Sequence, residues 1–241
     1  KLEREIAAIC RKAVVKLSES TDKVNVTEKN LTEFLGEKKY TDEKLSPTPA
    51  VGIVNGLAWT QVGGEMLQCE AVMLAGTGKI QITGKLGDVM KESAQAAISF
   101  VRSISEKLDI ESDFYTKKDI HIHFPEGAVP KDGPSAGITV ATAVASVLSG
   151  VPVRSDIAMT GEISLRGRVL PIGGLKEKAL AAYRVGIEDI IIPKGNIKDI
   201  QDIPLEVRDK ITFHPVENCE EVLSLALCFK ESKKEKKENI K

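Results

Sequence analysis

The amino-acid sequence predicts a mixed α/β fold, in the α+β sense, led by a short helical segment. Three observations predict it. Apolar runs between Val51 and Thr83 are punctuated by glycines and read as strands. The small, apolar stretch from Ser135 to Leu148 has the length and composition of a buried helix. Further on, short strand-like runs at 157–160 and 189–192 alternate with helical stretches at 174–185 and 219–227. With 241 residues there is room for one large domain, or one medium domain with an appendage.

Taken in order, Leu2, Ile6, Ile9, Ala13 and Leu17 recur at helical spacing and predict an amphipathic helix over 2–17. Val24-Asn25-Val26 is extended, and Thr27 caps a second helix that runs to about Leu35 and stops at Gly36. These elements are too few for a core of their own. Residues 1–39 therefore read as the end of a helical domain, and a chain opening on Lys1 reads as part of a longer polypeptide. Residues 40–50, charged and then carrying Pro47 and Pro49, read as a linker.

The larger domain is expected over 51–229. Val51–Val54 and the run through Trp59, Met66–Leu74 and Lys79–Thr83 are its first strands, with Trp59 read as core, or as closing a glycine-rich strand that lies beside substrate. A long helix is expected over 84–108, a strand over 120–124, the Ser135 helix up to Gly150, a strand at 157–160 and another within 165–170. A helix over 174–185, a buried strand over 189–192 and a terminal helix over 219–227 complete it. The charged tail over 230–241 is expected to be disordered.

A net charge of −1 gives no sign of a dominant nucleic-acid partner. No apolar run is long enough for a bilayer and no secretory leader opens the chain, so no membrane partner is expected. Cys10, Cys69, Cys219 and Cys228 lack C-x-x-C spacing, which fits a reduced, cytoplasmic setting better than disulfides or zinc.

The chemistry concentrates in Pro130-Lys131-Asp132-Gly133-Pro134-Ser135-Ala136-Gly137. Gly133 permits a tight turn, Pro134 suits a first helical position, and Ser135 falls in the first turn. Free N–H groups and the helix dipole there suit an oxyanion, although a serine at a helix start also serves as a plain cap. A serine nucleophile needs a base, and a deprotonated lysine is one candidate. On a helical wheel Leu175, Ala179, Ala182 and Gly186 share one face. Lys178 falls on one flank, between Ala182 and Val185, and Lys176 on the other. One site cannot use both, and the wheel leaves open that both lysines snorkel to solvent.

Two other signals carry less. His121 and His123 share a strand face and, with Asp132, suggest a triad or a metal pair, but no third ligand stands at useful spacing. Ala75-Gly76-Thr77-Gly78-Lys79 lacks the first glycine and the Ser/Thr of a phosphate loop, since Met73 and Ile80 stand there, and reads as a hairpin turn.

The Ser135 stretch, Met159-Thr160-Gly161-Glu162-Ile163 and Leu170-Pro171-Ile172-Gly173-Gly174-Leu175-Lys176-Glu177-Lys178 together resemble the proteolytic domain of Lon, the ATP-dependent protease. Gly56-Leu57-Ala58-Trp59 and Leu86-Gly87-Asp88-Val89-Met90-Lys91-Glu92-Ser93 extend the resemblance over roughly 51–228, and Leu2-Glu3-Arg4-Glu5-Ile6 looks like the end of the AAA+ helical subdomain. The resemblance implies a Ser-Lys endopeptidase of unfolded or damaged proteins. Ser135 matches the nucleophile, Lys178 the general base, Thr160 a residue supporting the lysine, and Asp132, Gly133 and Pro134 the active-site loop. It also implies a homohexamer and a bacterial-type cytoplasmic location, with ATP and Mg used by the full-length parent and no cofactor in this part. The rival reading is a non-catalytic assembly or substrate-binding module on the same fold.

Overall fold

The structure, a computed structural model, describes residues 2–19, 23–37, 48–60, 63–111, 113–125 and 131–229. The expected linker up to residue 47 and the expected tail lie outside the described residues. The chain divides into two compact units, Lys1–Glu43 and Lys44–Lys241.

In the first unit, α1 (Leu2–Glu19) has no buried residue; of its apolar stripe Leu2, Ile6 and Leu17 are exposed and Ile9 and Ala13 half-buried. A 3-10 turn, Glu28–Asn30, leads into α2 (Leu31–Leu35). Its start is pinned as the sequence suggests: Thr27 N–H donates to Asn30 Oδ1 at 2.7 Å. Gly36 ends α2 by donating to the Thr32 carbonyl at 2.8 Å.

The second unit contains β1 (Ile53–Thr60), β2 (Gly63–Ala75), β3 (Ile80–Thr83), α3 (Asp88–Ser103), α4 (Phe114–Lys117), β4 (Lys118–His123) and α5 (Gly137–Ser149). There follow β5 (Ile157–Met159), β6 (Glu162–Ile163), β7 (Val169–Leu170), α6 (Leu175–Arg184), β8 (Asp189–Pro193), α7 (Leu205–Arg208), β9 (Thr212–Val216) and α8 (Cys219–Ala226). Seven strands form one sheet in the order β3-β4-β2-β1-β5-β8-β9. The β4/β2 and β2/β1 pairs are antiparallel and the others parallel.

Both faces of the sheet are covered. On β8, Ile190 and Ile192 enter one apolar cluster with Leu175, Ala179 and Ala182 of α6. Ile191 enters the other, with side chains of α3, α5 and α8. Ile157 and Met159 of β5 likewise face the α5 side while Ala158 faces α6. The strand period of two thus splits each continuous apolar run between two helical layers.

Several expectations change. β2 and β3 do not form a hairpin: both pair with β4, which lies between them. The long helix starts at Asp88 rather than residue 84, because Gly84 has φ 122° and Gly87 is extended. It ends at Ser103, and a separate 3-10 turn covers Ser105–Leu108. Only Val169–Leu170 of the stretch 165–170 is strand, pairing with Glu162–Ile163. Trp59 is 58 % exposed and is not a core residue. β9 is not legible in the sequence, because Pro215 interrupts its apolar pattern; it lies at the sheet edge, where a missing N–H is tolerated.

Candidate active site

Ser135 lies in a 3-10 turn, Pro134–Ala136, just ahead of α5 rather than within its first turn. The Gly137 N–H donates to the Pro134 carbonyl, and Ile138 N–H to Gly161 O at 3.1 Å, so neither is spare for an oxyanion in this conformation. Gly133 has φ 122° and ψ 158°, a region only glycine occupies readily. Asp132 Oδ1 accepts from Met90 N at 3.0 Å and from Gly133 N at 2.8 Å. The carboxylate thus caps the start of α3 from outside the helix and ties the serine loop to it. The Pro134 carbonyl accepts from Ser93 Oγ of α3 at 3.1 Å.

Lys178 reaches the same place from the opposite layer. Ala181 is buried as well as Leu175, Ala179 and Ala182, so the buried arc of α6 is wider than the wheel's apolar face and includes Lys178. Lys178 is 2 % exposed while Lys176 is exposed, which removes the snorkelling alternative for Lys178. Its Nζ donates to Thr160 Oγ1 at 2.9 Å. Thr160 is itself fully buried and its hydroxyl donates to the Ser135 carbonyl at 3.5 Å. The same carbonyl accepts from Gly161 N at 2.8 Å. Burial pushes the Lys178 amine down from its usual range to about 8, with no charged partner contributing.

Thr160 directly follows β5, one of the parallel strands, and the site therefore sits at a carboxyl end of the sheet. The Ser135 turn comes from the α5 layer, Lys178 from the α6 layer, and Thr160 joins them across the strand end. Ser135 Oγ itself makes no hydrogen bond to Lys178 Nζ in this conformation. Beside the turn lies a cavity of about 70 Å³, lined by residues that include Gly56, Trp59, Met90, Ala136 and Thr139.

Sequence reasoning missed Thr139. Its Oγ1 is the one buried side-chain polar atom among the described residues without a hydrogen-bond partner. Thr142 bonds back to Ile138 O at 2.8 Å. The equivalent acceptor for Thr139 is the Ser135 carbonyl, already taken by Gly161 and Thr160. A threonine near the start of a helix of mostly small apolar residues was the only signal.

The other candidates are placed elsewhere. His121 Nε2 and His123 Nδ1 both bond Thr83 Oγ1, at 2.9 and 2.7 Å, across the β3/β4 pair. Asp132, on α3's start, is the partner of neither. Among the described residues no group of three or more His, Cys, Asp or Glu side chains is arranged to hold a metal. The N–H groups of Thr77 and Lys79 point at Asp119 Oδ1, at 2.8 and 2.7 Å, and those bonds hold its carboxyl below the usual range. That loop cradles the chain's own carboxylate and does not fit the phosphates of ATP.

Residues 25–229 match the family model of the Lon protease (S16) C-terminal proteolytic domain. The chain belongs to that family. It is 57 % identical over 227 residues to a Lon protease of Finegoldia magna, covering 94 % of this chain and 29 % of that protein. It is also 57 % identical to Lon protease 1 of Bacillus subtilis, with 94 % and 29 % covered, and 54 % identical to a Lon protease of Haemophilus influenzae, with 94 % and 28 % covered. The chain thus spans under a third of the length of these Lon relatives. Its mixed α/β sheet is that of a Lon-type proteolytic domain. No described helix is long and apolar enough to cross a membrane.

Proposed function

We propose that this chain is a serine endopeptidase, the proteolytic part of a longer ATP-dependent protease, and that Ser135 and Lys178 carry the reaction. The observation that supports it best is the fully buried hydrogen bond from Lys178 Nζ to Thr160 Oγ1, next to the Ser135 turn. A lysine with no anionic partner in a dry site loses its proton near neutrality, and a neutral amine is a base.

The Ser135 hydroxyl attacks the peptide carbonyl and Lys178 takes its proton. Collapse of the tetrahedral intermediate breaks the peptide C–N bond, and Lys178 returns the proton to the leaving amine. Water, deprotonated by the same lysine, then releases the acyl group from Ser135. Thr160 orients the amine, while Asp132, Gly133 and Pro134 hold the serine turn on α3. Ser135 Oγ must come within hydrogen-bond reach of Lys178 Nζ for the first step; such contacts are often long in substrate-free sites.

Unfolded or damaged proteins are the proposed substrates, and a homohexamer the proposed assembly, both as the resemblance to Lon implies. ATP and Mg act in the longer parent on residues outside this chain. The bacterial relatives and the four unpaired cysteines support a cytoplasmic setting. The expected division is residues 1–39 as the end of an AAA+ helical subdomain and 51–229 as the proteolytic domain.

The test is hydrolysis of an unstructured peptide without nucleotide. Ser135→Ala and Lys178→Ala should each abolish cleavage, and Lys176→Ala should retain most of it. A Lys178→Ala protein with near wild-type turnover would overturn the assignment, and inactivity of the unmodified chain would favour the assembly-module reading.

A further inference from the structure

The β1–β2 hairpin grips α6 at the turn that carries Lys178. At the residue position Gly64, a Cβ would lie 1.9 Å from the Glu177 carbonyl oxygen and 2.9 Å from the Lys178 backbone nitrogen. Only a residue without a side chain lets the strand approach the helix backbone so closely. The α6 N-cap Gly174, with φ 70°, meets Trp59 of β1 in the same way: a Cβ there would lie 3.0 Å from Trp59 Cβ and Cγ. From the far end of the helix, Arg184 reaches back and donates to the Gly64 carbonyl at 2.7 Å. The hairpin thus touches α6 at its cap, at the Lys178 main chain and through its last-turn arginine.

These contacts explain two features that packing alone leaves open. Trp59 is largely exposed, yet its ring base rests on Gly174. Arg184 lies on the solvent side of α6, yet its guanidinium is spent on a strand carbonyl rather than on a carboxylate. Both contacts converge on the helix that presents the proposed base.

We propose that Gly64 and Arg184 are positioning residues: they fix the depth and angle at which α6 presents Lys178 to Thr160 and Ser135. The proposal rests on the reading of Lys178 as the base. Neither Glu65 on β2 nor Glu177 and Arg184 on α6 contributes to lowering the Lys178 amine; burial alone does. Its proton affinity is therefore set by how deeply α6 is seated. A side chain at position 64 must push the helix backbone by about 1 Å, a displacement that can cost up to roughly a hundredfold in rate.

The experiment compares Gly64→Ala, Arg184→Ala and Arg184→Lys in the full chain. It reads kcat and KM for an unstructured peptide from pH 6 to 10, together with a nitrogen NMR titration of Lys178 Nζ. Gly64→Ala should lower kcat at least about tenfold with little change in KM. The rising limb of its pH profile, and the Lys178 titration, should move to higher pH by about one unit as the amine becomes hydrated. Arg184→Ala should move both in the same direction by less, and Arg184→Lys should restore part of the change. It also serves if Gly64→Ala fails to fold. Folded variants whose profile and titration superimpose on wild type would overturn the proposal even if kcat fell, since a merely structural role lowers rate without moving the amine. The two readings fail separately. An active Lys178→Ala protein removes the base assignment. An inactive one, with unshifted Gly64→Ala and Arg184→Ala profiles, removes only the positioning role.

Discussion

A lysine ammonium buried without a counter-ion opposes folding, and Lys178 is placed that way. Its unfolded value is the ordinary 10.5 and its folded value about 8, so the folded state binds its proton less tightly. The sign follows: the penalty is fully present below pH 8, amounts to roughly 3 kcal/mol, and fades as pH rises towards 10.5. Lys178→Met keeps the length and removes the charge. It should abolish cleavage and raise stability near neutral pH, with the gain vanishing in alkaline solution. Thermal melts across pH measure this; a Met variant much less stable than wild type at pH 7 would mean the lysine is charged and structurally paired. For the wild type, peptide cleavage should rise with pH through about 8, as the amine becomes a free base.

Among the elements, the serine turn depends on neighbours more than on its own sequence. Its conformation is held by Gly133 in a glycine-only region and by the Asp132 carboxylate on the Met90 N–H. Gly133→Ala should cost about 1–3 kcal/mol through backbone strain. Asp132→Ala should cost about 1 kcal/mol by uncapping α3. Denaturant midpoints measure both. Because the two residues anchor one turn, their effects should be less than additive, which a double-mutant cycle reads directly. The sequence made this turn legible as a Gly-Pro helix entry, but placed Ser135 in the α-helix; the 3-10 turn arises from the bonds to Ser93 and Gly161, which come from distant segments. The reading of α6 had the same limit. Its wheel took Leu175, Ala179, Ala182 and Gly186 as the buried face and left out Ala181, whose burial extends the arc over Lys178.

On the scale of the whole molecule, the order of strands separates the two candidate chemistries. His121 and His123 lie on β4, which β2 and β1 separate from β5, the strand that leads into Thr160. Both imidazoles are engaged with Thr83 Oγ1 across the β3/β4 pair, and neither bonds Asp132 or Ser135. The double change His121→Ala with His123→Ala should therefore leave peptide cleavage largely intact; loss of turnover in a variant with an unchanged melt would revive a histidine base. The same order explains why the central strands read so easily. β5 and β8 are covered on both faces, so Ile190, Ile191 and Ile192 are all fully buried and form an uninterrupted apolar run. β9 at the edge has no such requirement and tolerates Pro215, which hid it.

By itself the sequence determined most of the local outcomes, the approximate places of the long helices and the central strands, since periodicity, glycine and proline act within a few residues. It also held the motifs by which Ser135, Thr160 and Lys178 resemble the Lon nucleophile, its supporting threonine and its base. Tertiary structure decided what depends on distant partners. It alone sets which strands are neighbours, that Lys178 loses its water, that Asp132 caps α3 instead of facing a histidine, and that Gly64 must lack a side chain because the α6 backbone occupies the space. Desolvation and steric exclusion are properties of packed surroundings, and segments far apart in the chain create those surroundings only when they fold against one another.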